Sequence, residues 1–264
     1  MNKLETTNQD LVSVIIPTYN SAGTLIRAIS SAQNQTHQNI EIIVIDDGSD
    51  DDTEDILKDY IVKNLITYIH QENKGPGFAR NVGIKKSSGQ YIAFLDADDY
   101  WDSNKIEEQI KILKNNNYIL CSTERQNIGN ESSFITNGGY TFGLPAFLFS
   151  NPVTLSSVMV KRDILIKAGL FPENRKLDAV EDYDLWLRMF RYGPMYHINN
   201  AYTHYQTRRT LTRREKIFYT KKVLRVFRRA VRKNSAAYSV LFFIGYMFVW
   251  FKYLSHIVLY FLHI

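Results

Sequence analysis

Apolar residues along the first half of the chain follow two periods in alternation. Short β-branched runs, "LVSVIIP", "IEIIVID", "LITYIH" and "QYIAFLD", have the character of buried strands. Between them, apolar side chains recur three or four positions apart, as in Leu25, Ile29 and Ala32, which is the spacing of a helix face. This alternation predicts an α/β fold with a mostly parallel sheet flanked by helices.

The second half of the chain is less regular. The segment "NPVTLSSVMVKR" predicts a strand that leads into a helix, which Gly169 ends. The segment "EDYDLWLRMFRYG" predicts an amphipathic helix with acidic residues in its first turn. We find no internal repeat and no linker rich in proline or glycine.

The C-terminal region separates into a basic and an apolar segment. Residues 208–233 carry a net charge of +11, whereas residues 1–207 carry −7. Residues 234–251 then contain no charge, which is near the length of a spanning helix. A buried core helix is the alternative, but aromatic side chains on every helical face favour a membrane-associated tail with the Lys and Arg side chains on the cytoplasmic side. Whether the tail spans the bilayer or lies in its interface is open.

Composition adds expectations about location and partners. With 264 residues and 45% hydrophobic content, the chain is long enough to fold into packed domains. Cys121 is the single cysteine, and the start "MNKLETTNQD" lacks the pattern of a secretory signal, so we expect a cytoplasmic location. The basic segment contains few interleaved aromatics and leads into the apolar tail, so we expect an anionic membrane surface rather than nucleic acid as its partner.

Polar clusters follow three of the predicted strands: Thr18-Tyr19-Asn20, Asp46-Asp47 and Asp96-Ala97-Asp98. Ligands of parallel α/β sheets gather at the carboxyl ends of the strands, so we expect these clusters to share one crevice. Two carboxylates spaced as D-x-D suit a hard cation such as Mg²⁺ or Mn²⁺. A turn or helix-cap cluster is the alternative.

The chain contains neither a G-x-G-x-x-G nor a P-loop motif. Bound phosphates would therefore be neutralised by a metal and by basic side chains, which favours a nucleoside diphosphate held through a cation at Asp98. The segment "ENKGPGFARN" places Lys74, Arg80 and Asn81 in a glycine-punctuated loop before a helix, where they suit phosphate or base contacts.

Further candidates lie in the second half. Glu181 and Asp182 are favourable at a helix N-terminus for structural reasons alone, yet a carboxylate there is also suited to accept a proton from a sugar hydroxyl. The segment "THYQTRRTLTRR" contains His204, Arg208 and Arg209, which would reach a diphosphate if the segment folds over the crevice.

Five motifs together resemble the inverting family-2 glycosyltransferases of the GT-A fold, which use nucleotide sugars. They are "VSVIIPTYN", "IIVIDDGSDDDT", "GPGFARNVGI", "GQYIAFLDADD" and "EDYDLWLRM". The resemblance covers residues 11 to about 210. It implies a nucleotide-sugar-binding half (1–100) and an acceptor half (101–210), followed by the basic stem and apolar tail (211–264).

The resemblance also implies roles for single residues. Asp98 would be the principal metal ligand, with Asp96 contacting the ribose or the metal, and Asp182 would be the catalytic base. Arg208 or Arg209 would contact the diphosphate, and His204 is a further candidate metal ligand. The nucleoside pocket and base region would be formed by Pro17, Thr18, Tyr19, Asp46, Asp47 and Arg80.

The predicted function is metal-dependent transfer of a sugar, most simply from a UDP-sugar, to a lipid-linked or cell-envelope glycan at the cytoplasmic face of the inner membrane. Two alternatives remain. An aspartyl-type phosphatase accounts for the D-x-D but not for Asp47 or the Glu181-Asp182 pair. A membrane-tethered module that binds a cation or a glycan without catalysis accounts for the acidic crevice.

Overall fold

The computed structural model describes residues 10–129, 138–207, 210–233 and 236–261. The strands in chain order are β1 (Val12–Thr18), β2 (Ile40–Asp46), β3 (Thr67–His70), β4 (Tyr91–Phe94), β5 (Tyr100–Trp101), β6 (Leu120–Asn127), β7 (Gly139–Phe142), β8 (Met159–Lys161) and β9 (Met195–Tyr205). The helices are α1 (Ala22–Gln33), α2 (Thr53–Val62), α3 (Pro76–Lys86), α4 (Lys105–Asn115), α5 (Leu144–Phe147), α6 (Arg162–Lys167), α7 (Glu181–Met189), α8 (Arg213–Lys233) and α9 (Ala236–Phe261). Short 3₁₀ helices cover Leu155–Ser157, Arg175–Leu177 and Phe190–Tyr192.

All nine of these strands join one sheet, in the order β3-β2-β1-β4-β8-β6-β9-β5, with β7 paired to β9. The first four strands are parallel, as the strand–helix alternation predicts. Beyond β4 the sheet is mixed, because β8 runs antiparallel to both β4 and β6, while β6 and β9 are parallel. The α/β class is therefore confirmed, with a parallel first half of the sheet and a mixed second half.

The strand β1 shows why the apolar runs form the centre of the sheet. Val14 and Ile16 pack with Leu25 and Ile29 of α1 on one face, while Ile15 packs into a second core on the other face. These side chains are fully buried. Burying each one stabilises the fold by about 1.5–3 kcal/mol relative to exposure, so a continuous apolar run fits a strand that is covered on both sides.

Two local predictions are wrong in detail. Helix α3 begins at Pro76, so Arg80 and Asn81 lie inside a helix and are buried rather than in a loop. Proline is favourable at the first helical position, and Gly83 permits close packing because a Cβ there would approach Ile15 within 2.6 Å. The strand predicted in "NPVTLSSVMVKR" is shorter than expected, since Leu155–Ser157 is a 3₁₀ helix before β8.

The two C-terminal helices pack against the domain. Val226 and Phe227 of α8 are buried in the larger core, where the Phe227 ring makes an edge contact with Tyr183 at 5.7 Å between centroids. In α9, Phe242 is buried beside Phe190, and Gly245 lets the helix approach Phe227. The outer side of α9 stays exposed. In the part of the chain that is described, Val240–Ile257 is long and apolar enough to cross a membrane, and 17% of it is buried.

Candidate active site

A crevice of about 820 Å³ lies at the carboxyl ends of β1, β2 and β4. These strands are neighbours in the sheet, with β1 between the other two. The residues that follow them therefore meet at one edge. Among those that line the crevice are Pro17, Thr18, Tyr19, Asp47, Asp96 and Asp98. The expected convergence of the strand-end clusters is confirmed.

The first cluster offers a hydroxyl and an aromatic ring to the crevice. Thr18 is buried, and its Oγ1 has no hydrogen-bond partner within the described residues. Tyr19 is 51% exposed at the same edge. A buried hydroxyl without a partner is costly, so Thr18 is suited to bind a polar group of a ligand.

The two neighbouring aspartates of the second cluster face different surroundings. Asp47 lines the crevice and accepts hydrogen bonds from Gln71 Nε2 (2.7 Å), Lys74 N (2.9 Å) and Gly75 N (2.8 Å). An ionised carboxylate has about four acceptor positions, so one is left for a ligand donor. Asp47 thereby also fixes the loop that leads into α3.

Asp46 does not belong to the crevice lining. Its carboxylate accepts hydrogen bonds from Ser49 N at 2.8 Å and from the Tyr68 hydroxyl at 2.7 Å, and it is 1% exposed. Burial raises the pKa of Asp46, but the hydrogen bonds from Ser49, Tyr68 and His70 more than offset this and lower it. The structure thus places Asp46 behind the crevice, where it supports the turn after β2.

Arg80 connects the strand-end carboxylates to α7. Its Nη1 donates to Glu181 Oε1 at 2.7 Å and its Nη2 donates to Asp96 Oδ1 at 2.8 Å. The guanidinium is 6% exposed. Because Arg80 contacts two buried or half-buried acids, its geometry is that of an internal ion-pair bridge at the crevice wall rather than a solvated base.

The D-x-D segment and the aspartate that follows it bring three carboxylates close together. One oxygen from each of Asp96, Asp98 and Asp99 lies within 4.8 Å of the others. Asp99 is already engaged, because it accepts from Ser156 Oγ (2.5 Å) and Gln206 N (2.8 Å). Burial, followed by the charge of Asp96, raises the pKa of Asp99 to about 7. The carboxylate oxygens fit Mg²⁺ or Mn²⁺, and Asp96 and Asp98 are the residues that would hold the ion.

Asp182 lies across the crevice, in the first turn of α7. Its Oδ2 accepts a hydrogen bond from Asn151 Nδ2 at 2.8 Å. Burial and the charge of Glu181 raise the pKa of Asp182 to about 7, against the opposing effects of Tyr183 N, Arg80 and Asn151. A carboxyl group whose pKa lies near neutrality and that faces a ligand crevice is suited to general-base chemistry.

Other predicted residues have different positions. His204 lies outside the crevice lining, where it bonds to Asp102 Oδ1 at 2.8 Å and stacks on Tyr100. Arg208 and Arg209 lie outside the described residues, so their expected contact with a diphosphate stays a prediction.

The sequence analysis did not identify several residues of the crevice: Asn151, Arg125, Tyr205 and Tyr219. Asn151 was assigned only to a strand, although the "NP" dipeptide is a turn signal that marks an irregular segment. Tyr219 belongs to α8, within the region assigned to the basic stem. The boundary at residue 210 stays a prediction, but α8 contributes to both the crevice and the core.

Sequence relatives of this chain are named as glycosyltransferases. An uncharacterized glycosyltransferase of Rickettsia bellii is 43% identical over 180 residues, which cover 67% of this chain. The UDP-Glc:alpha-D-GlcNAc-diphosphoundecaprenol beta-1,3-glucosyltransferase WfaP of Escherichia coli is 35% identical, with 70% of this chain and 72% of that protein covered. The chain spans only part of the rickettsial relatives that it matches, from 26% to 62% of their lengths.

Solved structures share the fold at low sequence identity. TarS 1-349 of S. aureus in complex with UDP-GlcNAc matches with a TM-score of 0.72 and 18% identity, over 92% of this chain and 73% of that one. This likeness confirms the expected GT-A-type fold. The model of glycosyl transferase family 2 matches residues 13–157, more than half of the chain. The chain therefore belongs to glycosyl transferase family 2.

Proposed function

We propose that this chain is an inverting glycosyltransferase that moves a sugar from a nucleotide sugar, most simply a UDP-sugar, to a hydroxyl of a lipid-linked or cell-envelope glycan. The observation that carries the proposal is the single crevice in which Asp47, Asp96 and Asp98 at the strand ends share a lining with Asp182. Family membership favours this function over the phosphatase and the non-catalytic binding module.

The strand-end wall would bind the nucleotide. The unpartnered Thr18 hydroxyl and the remaining acceptor position of Asp47 suit the polar edge of a nucleobase, with Tyr19 beside them. Asp96 and Asp98 would hold Mg²⁺ or Mn²⁺. A bound divalent cation would neutralise the charge of a diphosphate leaving group.

Asp182 would act as the general base. When it is ionised, it takes the proton of an acceptor hydroxyl as the oxygen forms its bond to the anomeric carbon and the bond from that carbon to the diphosphate breaks. Attack opposite the leaving group in one displacement inverts the anomeric configuration. Holding donor and acceptor together in the crevice supplies much of the acceleration, and the Asn151 amide orients the carboxylate.

The C-terminal helices support action at the inner (plasma) membrane. Helix α8 is basic, and α9 exposes Phe243, Phe248 and Phe251 on its outer side. A basic segment next to an exposed apolar helix suits an anionic membrane interface on the cytoplasmic face. A lipid-linked acceptor also agrees with the activity of the relative WfaP, a glucosyltransferase whose substrate is linked to diphosphoundecaprenol.

The test is release of nucleoside diphosphate by the purified full chain from UDP- and GDP-sugars, with Mg²⁺, with Mn²⁺ and with a chelator. We expect UDP release from a UDP-sugar only in the presence of a divalent cation. NMR of the product with a lipid-linked glycan acceptor should show an inverted anomeric centre. Retained configuration, or equal turnover with the chelator, would contradict the mechanism.

A further inference from the structure

A second cavity, of about 340 Å³, lies between α8 and the 3₁₀ helix Arg175–Leu177. We call it the basic cavity. Four of its lining residues are cationic and, in the part of the chain that is described, none is acidic. The lining consists of Asn174, Lys176, Leu177, Arg225, Arg228 and Arg229. Cations held together in this way repel one another, so the cavity favours an anion.

The protein itself compensates little of this charge. Arg229 Nε lies 3.2 Å from Asp184 Oδ1, but the same carboxylate also pairs with Arg188 at 2.9 Å. Arg225 donates to the Lys176 carbonyl, a neutral acceptor, at 3.4 Å. Within the described residues, the side chains of Lys176 and Arg228 make no ion pair. The cavity therefore keeps positive charge that a ligand would neutralise.

The cationic groups indicate which anion fits. Three of the four are guanidinium groups, whose planar donors match the oxygens of a phosphate better than a single ammonium does. The volume of about 340 Å³ is at the small end of the range for ligand pockets, enough for a phosphate with part of its ester group.

The position of the cavity favours a lipid as the source of that phosphate. Helix α8 packs on α9, whose exposed outer side carries Phe243, Phe248 and Phe251. Clusters of Lys and Arg side chains beside an apolar membrane segment are typical sites for anionic lipid headgroups. The cavity also adjoins the crevice, since Lys176 and Leu177 line the cavity while Arg175 and Asp178 of the same segment line the crevice.

We propose that the basic cavity binds the phosphate of an anionic membrane lipid. This site is separate from sugar transfer, and the lipid source rests on the membrane attachment proposed above. The bound headgroup links α8 to the 174–178 segment, which Lys222 already contacts through the Asp178 carbonyl at 2.6 Å. Lipid binding would thereby hold one wall of the crevice at the membrane surface.

The experiment measures sedimentation of the full chain with three kinds of vesicle: phosphatidylcholine alone, phosphatidylcholine with phosphatidylglycerol, and phosphatidylcholine with oleate at matched negative charge. The cavity variant is Lys176→Gln/Arg228→Gln. The control is Lys216→Gln/Lys221→Gln, which removes equal charge from α8 outside the cavity. We expect the wild type to prefer phosphatidylglycerol over oleate about tenfold, the scale of one charge-assisted hydrogen bond.

The cavity variant should lose this preference, while the control keeps the preference even if its affinity for both surfaces falls. An unchanged preference in the cavity variant would overturn the proposal, since diffuse charge would then explain the binding. Binding of a soluble phosphate compound is tested with inorganic pyrophosphate, and thermal shift measures how far it stabilises the full chain. A second contrary outcome is a cavity variant that loses the stabilisation by pyrophosphate yet keeps the wild-type preference for phosphatidylglycerol. That result would assign the cavity to a soluble phosphate and overturn the lipid source.

Membrane attachment itself is tested separately with Phe243→Gln/Phe251→Gln, which changes exposed side chains of α9. We expect this variant to lose binding to all vesicles and to keep its response to pyrophosphate. If this variant binds vesicles as the wild type does, the proposal of attachment through α9 is rejected, whereas the proposed phosphate site is unaffected. Turnover of a soluble UDP-sugar reports on the active site independently of both results.

Discussion

The two walls of the crevice are built in different ways. The strand-end wall, with Thr18, Asp47 and Asp98, consists of residues that directly follow neighbouring parallel strands. The opposite wall, with Asn151, Asp182 and Tyr219, comes from an irregular segment, from α7 and from α8. Strand order alone assembles the first wall, whereas the second depends on packing between distant parts of the chain.

Arg80 joins the two walls, since it contacts Asp96 on one side and Glu181 on the other. The difference teaches that the donor binding and the proton removal proposed above rest on separate structural supports, which Arg80 joins by its two ion pairs. Substitutions on the two walls should therefore affect different steps of the proposed reaction, and a substitution of Arg80 should affect both steps.

The largest effect is expected at the opposite wall. Asp182→Asn keeps the shape of the side chain but removes the carboxylate that we propose as the general base, so we expect kcat to fall about 10²–10⁴-fold. Affinity for UDP in the presence of Mn²⁺, measured by calorimetry, should stay unchanged because the strand-end wall is intact. Asp163→Asn, at an exposed acid of α6, is the control. A kcat within twofold of the wild type would remove Asp182 from its role.

Removing the ion pairs of Arg80 should destabilise the protein. Arg80→Gln leaves Asp96 and Glu181 without their cation, and breaking a buried ion pair costs about 3–5 kcal/mol. Urea unfolding measures the free energy of unfolding of Arg80→Gln. The control is Arg162→Gln, which removes an arginine that donates to the Ser87 hydroxyl. The double variant Arg80→Gln/Glu181→Gln should recover part of the loss. Equal stability of Arg80→Gln and the wild type would contradict the bridge.

The strand-end wall should respond in binding as well as in turnover. Asp98→Asn removes one of the two carboxylates that we propose to hold the cation, and we expect turnover to fall about 100-fold, since metal stabilisation amounts to several kcal/mol. Calorimetry should show that Mn²⁺ no longer strengthens UDP binding. Asp102→Asn, at a residue bonded to His204 outside the crevice lining, is the matched control. Metal-dependent UDP binding that survives in Asp98→Asn would refute the metal role.

The smallest effect concerns pH. Because the proposed base Asp182 would act when ionised and its pKa is raised to about 7, kcat should rise with pH through 7 and level off above it. The Asn151 amide stabilises the ionised form, so Asn151→Ala should move this rise to higher pH by about one unit. Pre-steady-state rates of transfer across the pH range measure the shift. An unchanged profile would show that Asn151 does not bond to the reacting carboxylate.

The parallel half of the fold could be predicted because its signals are local. Continuous apolar runs indicate strands covered on both faces, and the rule of strand ends brings Asp47 and Asp98 to one edge. The start of α3 could not be predicted, since Gly77 and Gly83 weaken the helical pattern. Glycine suits position 83 because a Cβ there would lie 2.6 Å from Ile15, a contact that no local pattern reveals.

The opposite wall had weaker sequence signals. The acids of α7 have the same pattern whether they stabilise a helix N-terminus or accept a proton. Only the burial beside Glu181 and the Asn151 contact distinguish Asp182 from an ordinary first-turn acid. The basic pattern of α8 likewise suits a solvated stem, although Val226 and Phe227 lie in the core.

The sequence by itself determined the α/β class, the family, and the carboxylates that meet at the strand ends, because hydrophobic period and strand order are encoded over short distances. The tertiary structure decided that Asp46 lies behind the crevice and that Arg80 bridges two acids. It also decided that α8 lines both the crevice and the basic cavity. These features depend on burial and on contacts between residues that are far apart in the chain, which no local pattern specifies.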